Sequence, residues 1–462
     1  MSWKNAAMIG LRKNLNKMSL EQQYIDLYRQ TSEALKVHSA TLLNARRNAA
    51  FEKFTQLGFP TTQQENYLYS RVQESLDLNY GLNINRIKIS INEKELFSCN
   101  VPGIHADLFF MINDQFHVSQ QTKSSPNGVI ICSLSEACQK YPALVEHYLN
   151  RQITDKNDGF VAFNEAFSQD GFFLYVPKNT VCKNPVQLIN ILRSNVDTMS
   201  LGHNLIILEE GAQIKLLVCD HAANDVHFFN HTLTEIFVGE NAHFDYYGLE
   251  STHLKTTALK QIFVSQKSDS QIVMNTIGLN NGCTRNHIEV DMNGSGAETW
   301  LGGMLVSDKT QQSENFTVIR HNAPHCKSNE LYKYILDGEA DGAFSGRIIV
   351  KEGAQKTEAY QTNRNICLSK QAQMHAKPQL EIYADDVKCG HGATTGQLDE
   401  SALFYMQTRG IGKTEARMLL LLAFTADVLQ FVEVEALRER LRTMVERRLR
   451  GENAKCQGCG GC

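Results

Sequence analysis

A short unit recurs in the middle of this chain: a turn built from small residues leads into a strand whose side chains alternate in polarity. The four copies begin at Gly211, Asn241, Asp269 and Gly296. Their second residues, at 212, 242, 270 and 297, stand 27 to 30 positions apart. Repeats of this length are typical of a solenoid, in which each coil buries its inward side chains against the next coil. The unit therefore predicts a β-helix, and a β-sandwich with evenly spaced hairpins is the alternative.

The spacing of the unit slips after the fourth copy. The next matches in the sequence are Gly342-Ala343 and Gly353-Ala354, which do not continue the period. Between residues 155 and 398 the chain nevertheless consists of short β-rich runs with almost no helical pattern. We therefore predict that the repeat extends over this whole segment as a β-helix core.

Helical patterns flank the repeat, which gives a mainly β chain with helical ends. The predicted regions are 1–154, mainly helical; 155–398, the β-helix core; 399–450, helical; and 451–462, a flexible cysteine-rich tail. Apolar residues at helical spacing run through 21–57, where Gly58 and Pro60 end the helix. Further patterns predict a strand at 87–91 and a helix at 135–149.

Composition excludes several classes of protein. The 12 cysteines among 462 residues are too dilute for a disulfide scaffold and indicate reduced thiols in a cytoplasmic protein. A formal charge of -4 argues against a protein-wide electrostatic contact with nucleic acid. The longest apolar stretch, 418–424, is far shorter than the roughly 20 residues that cross a bilayer, so no membrane partner is expected. The basic leader before Met18 lacks the apolar core of a signal peptide and fits a transit segment or an unstructured leader.

Two motifs look like ligand sites but fit them poorly. Residues 409–414 end like a phosphate-binding P-loop, yet Gln407 stands where that loop needs a glycine. We interpret this segment as a helix-to-helix connection and expect no ATP binding by this chain. His321, His325 and Cys326 have ligand-like spacing, but Pro324 prevents a helix that would align them. A polar turn of the β region is the simpler interpretation.

The segment from Asp385 to Gly392 carries a more specific pair. If the backbone is extended, Cys389 and His391 point to the same side, and thiolate with imidazole suits iron, zinc or copper. Two ligands do not hold a metal ion firmly, so another chain has to complete any such site. A buried thiol beside a hydrogen-bonded histidine is the alternative without metal.

The C-terminal tail contains a CxxCxxC motif formed by Cys456, Cys459 and Cys462. This spacing suits a soft metal or a cluster, but three ligands on a glycine-rich tail make a labile site at most. We regard these cysteines as a second candidate metal site.

Taken together, the repeat and the Cys389–His391 pair resemble the SufB/SufD family of iron–sulfur cluster assembly proteins. The likeness runs from about residue 24 to 445. Its most specific stretch is 377–394, with 403–411 following, and weaker matches lie at 58–60, 65, 163–167 and 176–178. The motif Cys-Gly-His-Gly-Ala-Thr at 389–394 is similar to the sequence of the SufD branch at this place. The leader and the CxxCxxC tail lie outside the family pattern.

Membership of this family implies a right-handed parallel β-helix between helical regions. It also implies a complex in which a SufD-like chain pairs with a SufB-like subunit, each binding a SufC-like ATPase through its C-terminal helices. The nascent iron–sulfur cluster is shared between the two paired chains, and His391 matches the candidate ligand of the SufD branch. Cys389 also matches the motif, but it ranks below His391 as a candidate ligand. ATP is bound by the SufC-like partner, and a reduced flavin is associated with some such complexes.

These observations predict a scaffold subunit without catalytic activity of its own. One alternative is a purely structural subunit that stabilises its partner without ligating the cluster. Another is a β-helix enzyme such as a polysaccharide lyase, which the missing secretion signal disfavours. No residue matches the sulfur-accepting cysteine of the SufB branch, so we assign no sulfur transfer to this chain. A homodimer of the isolated chain stays open.

Overall fold

The structure is a computed structural model that describes residues 20–91, 104–117 and 128–452. The basic leader and the three tail cysteines, Cys456, Cys459 and Cys462, lie outside the described residues. In the part that is described, no helix is both long enough and apolar enough to span a membrane.

Two facing β-sheets form the body of the molecule. The ten-stranded sheet contains β1 (Asp107–Ile112), β2 (Gln115–His117), β5 (Val186–Leu192), β7 (Gln213–Ala222), β9 (His243–Glu250), β11 (Gln271–Gly278), β13 (Glu298–Ser307), β15 (Lys327–Leu336), β17 (Glu358–Cys367) and β19 (Lys388–Gly396). The nine-stranded sheet contains β3 (Ile130–Ser133), β4 (Phe172–Val176), β6 (Thr198–Leu208), β8 (Phe228–Val238), β10 (Thr256–Gln266), β12 (Cys283–Met292), β14 (Gln312–His321), β16 (Asp341–Val350) and β18 (Gln373–Ile382). From β4 onward the chain alternates between the sheets, and each strand pairs in parallel with the strand two positions away. The predicted parallel β-helix is confirmed, and the sandwich alternative is wrong.

The repeat found in the sequence marks one row of buried small side chains inside the solenoid. Ala212, Ala242, Ser270 and Ala297 are each at most 1 % exposed. The backbone carbonyl of each accepts a hydrogen bond from the residue that opens the equivalent strand of the next coil. Each small residue therefore fills the same place at the start of its strand, coil after coil.

The row continues past the fourth copy, so the expected slip of the period is wrong. Cys326 and Thr357 occupy the next two places, and both are fully buried. A cysteine and a threonine replace the alanine or serine of the earlier copies, which hides the repeat from a search for Gly-Ala pairs. Gly342 belongs to the other sheet, in β16, and Gly353 lies in a turn.

The interior of the solenoid is apolar at one side and polar at the other. Lys260, 6 % exposed, lies in the polar part, with its Nζ 2.5 Å from Asp220 and 2.7 Å from Glu250. Asn190 and Asn281 donate hydrogen bonds to the remaining oxygens of the two carboxylates. Burial alone lowers the pKa of Lys260, but attraction to the two carboxylates outweighs it and raises that pKa above its ordinary value.

The N-terminal region packs helices against the outside of the nine-stranded sheet. The predicted helix over 21–57 is present as three helices, α1 (Leu20–Val37), α2 (Thr41–Asn44) and α3 (Arg47–Leu57). As predicted, α3 ends at Gly58, whose φ of 63° favours glycine. The predicted helix over 135–149 is split into α4 (Leu134–Lys140) and α5 (Pro142–Tyr148), because the proline begins a new helix. A further helix, α6 (Gly159–Phe167), is almost wholly buried.

The predicted strand at 87–91 is wrong. The side chain of Asn83 accepts a hydrogen bond from the backbone N–H of Ile87 and donates one to its carbonyl, at 2.9 and 2.8 Å. An asparagine that occupies both backbone groups competes with a β-ladder. Ile87 is also 69 % exposed, so its apolar side chain gains no burial from the alternating pattern.

Between β19 and residue 452, the end of the described chain, lie three helices: α7 (Glu400–Thr408), α8 (Lys413–Gln430) and α9 (Glu435–Leu449). As predicted, residues 409–412 connect two helices, with Gly410 at a φ of 85°. Leu437, Leu441 and Val445 of α9 are buried in the cluster against the ten-stranded sheet. Arg448 fixes the end of α9 through hydrogen bonds of 2.8 Å to both oxygens of Asp308.

Candidate functional site at the open end of the solenoid

The last coil of the solenoid is open. β18 pairs with β16 on one side only, and β19 pairs with β17 on one side only. Among the described residues no strand pairs with their other edges. In β19 every residue after Gly390 is exposed. The backbone groups along these edges are therefore available to another chain.

Cys389 and His391 lie on the inward face of β19. Their register partners in β17 are Ala359 and Gln361, both of which are buried inside the solenoid. Because partners in a parallel ladder share a face of the sheet, the two side chains continue the inward rows of the core. The segment is extended, as predicted, and it places the thiol and the imidazole on one side at the uncovered end.

The two candidate donors differ in environment. Cys389 packs beside Leu380, Val387 and the buried cluster that contains Ile348. Burial raises the pKa of the Cys389 thiol above its usual value, although a hydrogen bond from the backbone of Ala359 works in the opposite direction. The side chain of His391 is exposed. This contrast makes His391 the more accessible donor, since the half-buried thiol has to lose its proton before it binds a metal.

The structure brings a glutamine and a glutamate beneath His391 that sequence reasoning missed. Gln361 lies one coil below His391, and Glu330 lies one coil below Gln361 on the same inward row. Gln361 Nε2 donates a hydrogen bond to Glu330 Oε2. Burial raises the pKa of Glu330 to about 7, while the hydrogen bond from Gln361 works in the opposite direction. The coil period, applied backward from His391, is the signal that would have found both residues.

Within the described residues the site is incomplete. In residues 20–91, 104–117 and 128–452, no three side chains of His, Cys, Asp or Glu come together in a group suited to a metal ion. His321, His325 and Cys326 are not brought together: His321 is buried, with Nε2 2.8 Å from Ser328 Oγ. Burial lowers the pKa of His321 to about 4. The two donors of β19 thus need ligands from elsewhere to hold a metal.

The outward face of β18 is partly covered by the N-terminal region. Glu65 accepts a hydrogen bond of 2.8 Å from Lys377, which lowers the pKa of that carboxyl. Tyr69 stacks on His375 with ring centroids 4.5 Å apart. These contacts leave the inward face and the free edge of the last coil as the accessible parts.

Large apolar side chains are exposed around this end. Tyr383 is 61 % exposed at the end of β18, and Phe404 and Tyr405 of α7 are 68 % and 58 % exposed. Only Leu403 of α7 is buried. Tyr383 precedes β19 and the other two follow it, so exposed aromatic side chains flank the last strand at both of its ends. Exposed aromatic side chains of this kind favour a protein–protein interface.

A second apolar surface lies between α8 and α9. The groove has a volume of about 440 Å³. Its lining residues are Leu419, Leu422, Ala423, Thr425, Ala426, Leu429, Gln430, Arg438, Glu439 and Arg442. Leu419 is 40 % exposed at its rim. The groove sits on the outer side of the helices that are anchored to the ten-stranded sheet.

Comparison with known proteins assigns the family. The SufBD core domain of the SUF system for FeS cluster assembly matches residues 190–424, and the SufBD N-terminal region matches residues 18–188. An iron–sulfur cluster assembly SufBD family protein of Synechocystis sp. is 28% identical over 419 residues, which cover 87% of this chain and 90% of the relative. The iron–sulfur cluster assembly protein SufD of Escherichia coli is 24% identical, covering 87% and 92%, and that of Bacillus subtilis is 28% identical, covering 72% and 77%. The chain belongs to the SufBD family of iron–sulfur cluster assembly proteins.

Proposed function

We propose that this chain is a SufD-like scaffold subunit without catalytic activity of its own. Its open end pairs with a SufB-like subunit, and the nascent iron–sulfur cluster is held between the two chains with His391 as a ligand. The observation that carries the proposal is the uncovered last coil, which presents His391 and Cys389 on its inward face. A donor pair that is incomplete alone and lies at an unpaired edge suits a site that another chain completes.

The direction of the backbone groups favours β19 as the strand that receives the partner. The N–H of Lys388 donates to Thr357 in the ladder with β17, so the N–H groups of Cys389, His391 and Ala393 point to the free edge. β18 instead carries Pro378 at a position whose missing N–H faces its own free edge. β19 therefore has an unbroken set of donors along its free edge, whereas β18 does not.

The cluster itself is the cargo of the system. His391 supplies an imidazole nitrogen, and Cys389 is a second, weaker candidate because burial favours its protonated form. Further ligands come from the SufB-like subunit. ATP is bound by a SufC-like ATPase, and any reduced flavin belongs to the assembled complex.

We place the SufC-like contact on α8 and α9. The groove between them is apolar, accessible and bordered by Arg438 and Arg442, and the helices are tied to the solenoid through Arg448 and Lys333. Lys333 Nζ lies 2.6 Å from Asp427 Oδ2 of α8. Motion of a bound ATPase is thereby transmitted to the ten-stranded sheet that ends in β19.

Leu419→Asp should lower the affinity for the SufC-like ATPase by about tenfold or more, because a charge replaces an apolar contact in the groove. The measurement is the amount of SufC-like subunit that co-purifies with the chain. Thr414→Asp, on the exposed first turn of the same helix, is the matched control and should retain the subunit. Equal recovery from both variants would place the contact elsewhere.

His391→Ala tests the ligand role. Cluster formation by the complex should fall by at least about tenfold, the scale on which metal sites respond to lost support. Iron and sulfide are measured after anaerobic purification with the natural partners. His375→Ala is the matched control, because His375 lies on β18, the preceding strand in the facing sheet, and its ring faces outward against Tyr69.

The same experiment separates the scaffold from a purely structural subunit. Both variants should keep the complex intact by gel filtration, since His391 hydrogen-bonds no other described residue and its removal leaves the ladder in place. Undiminished iron and sulfide in His391→Ala would contradict the ligand role and leave partner stabilisation as the function.

A further inference from the structure

The side chain of Gln361, which lies one coil below His391, is held in one orientation. Gln361 is 1 % exposed and fills the space between the two sheets. A Cβ added at Gly346, on the opposite sheet, would lie 2.3 Å from Gln361 Nε2. The absence of a side chain at Gly346 therefore makes the room that the glutamine amide occupies.

The hydrogen bonds of this amide fix which end is free. Gln361 Nε2 donates to Glu330 Oε2 one coil below, so the NH₂ end of the amide faces Glu330 and the oxygen end remains free. Gln361 Oε1 is buried and has no hydrogen-bond partner among the described residues. A buried amide oxygen without a hydrogen bond costs folding free energy. We therefore expect a hydrogen-bond donor on the strand that the ladder places next to it.

His391 is the next residue on this inward row. It is the register partner of Gln361, and neighbouring strands lie about 4.8 Å apart. The described part of the chain offers His391 no other hydrogen bond or ion pair. In the structure the two side chains form no hydrogen bond with each other, but the exposed His391 side chain is free to rotate about its χ angles and bring a ring N–H to the amide oxygen.

We propose that Gln361 is a positioning residue for His391. Its Oε1 accepts a hydrogen bond from one ring N–H, which selects a single tautomer and leaves the lone pair of the other ring nitrogen facing the open end. Glu330, one coil below Gln361, accepts a hydrogen bond from the NH₂ group of the amide and so keeps the amide oxygen of Gln361 toward His391. This inference rests on the proposed role of His391 and adds the support that metal-binding histidines need from a second group.

The test compares the full chain with Gln361→Met, which keeps the length of the side chain and removes the amide. Long-range ¹⁵N–¹H NMR of chain labelled at histidine reports the tautomer, and the signals of His391 are those missing from His391→Ala. We expect one tautomer in the unaltered chain and a mixture in Gln361→Met. In the assembled complex, cluster content should fall about 10-fold or more.

Two further variants isolate the cause. Glu330→Gln keeps an oxygen that accepts from Gln361, so the tautomer should persist. Gln266→Met removes another fully buried inward glutamine, four strands from β18 in the nine-stranded sheet, and should leave His391 unchanged. An unchanged His391 tautomer in Gln361→Met would overturn the inference. A changed tautomer there, together with undiminished assembly in His391→Ala, would support the positioning and overturn the proposed ligand role instead.

Discussion

Lys260→Met is expected to lower the free energy of unfolding by about 3–5 kcal/mol. The ammonium lies inside the solenoid between Asp220 and Glu250, at 2.5 and 2.7 Å. Its removal leaves two buried carboxylates without a counter-charge, which is far more costly than the loss of a surface ion pair. The pKa of Lys260 is raised in the folded chain, so this stabilisation is complete below the ordinary pKa of lysine and is lost only as pH rises above it. Thermal or urea unfolding at neutral pH measures the whole effect.

Lys255→Met is the matched control for this prediction. Lys255 forms an ion pair of 3.1 Å with Asp225, but both side chains are largely exposed, at 43% and 78%. Its loss should change stability by no more than about 1 kcal/mol. A triple variant that also carries Asp220→Asn and Glu250→Gln should regain much of the lost stability. Equal unfolding midpoints for Lys260→Met and Lys255→Met would contradict the buried cluster.

Ala393→Pro is expected to abolish the proposed pairing with a SufB-like subunit while the chain still folds. The N–H of Ala393 points to the free edge of β19, so proline removes a donor from the proposed intermolecular ladder and none from the ladder with β17. The proline ring also projects where a partner strand would lie. Co-purification of the tagged chain with its partner, followed by gel filtration, measures the loss.

Ala393→Val separates the effect of the donor from that of size. Valine keeps the N–H and suits a strand, so this variant should bind the partner normally. The unfolding midpoints of both variants should stay near that of the unaltered chain, because Ala393 lies on an exposed edge. Recovery of the partner at full stoichiometry by a folded Ala393→Pro would show that β19 is not the receiving edge.

The sequence allowed the solenoid to be predicted because each coil repeats one local requirement. A small side chain is needed at the buried position directly before each strand of the ten-stranded sheet. Ala212, Ala242 and Ala297 meet this requirement with a residue type that is easily recognised in the sequence. Cys326 meets the same requirement with a different residue type, which is why the period looked broken. The strand predicted at 87–91 failed for the opposite reason: its pattern is right, but Asn83 takes the backbone groups.

The candidate site could be predicted only in part. The alternation of an extended chain puts Cys389 and His391 on one side, and that follows from two residues alone. The contact of Gln361 with Glu330 and the cluster around Lys260 depend on which residues stack across coils, so they require the register. A local pattern does not contain that register, although the coil period, once known, supplies it.

The uncovered last coil also bears on how the cell handles this protein. A sheet edge with free donors is a template for any strand, including the same edge of another copy. In the proposed complex the SufB-like subunit covers this edge, whereas copies of the chain in excess over that subunit would leave it exposed to self-association and proteolysis. The proposed pairing therefore predicts that the abundance of this chain follows the abundance of the SufB-like subunit.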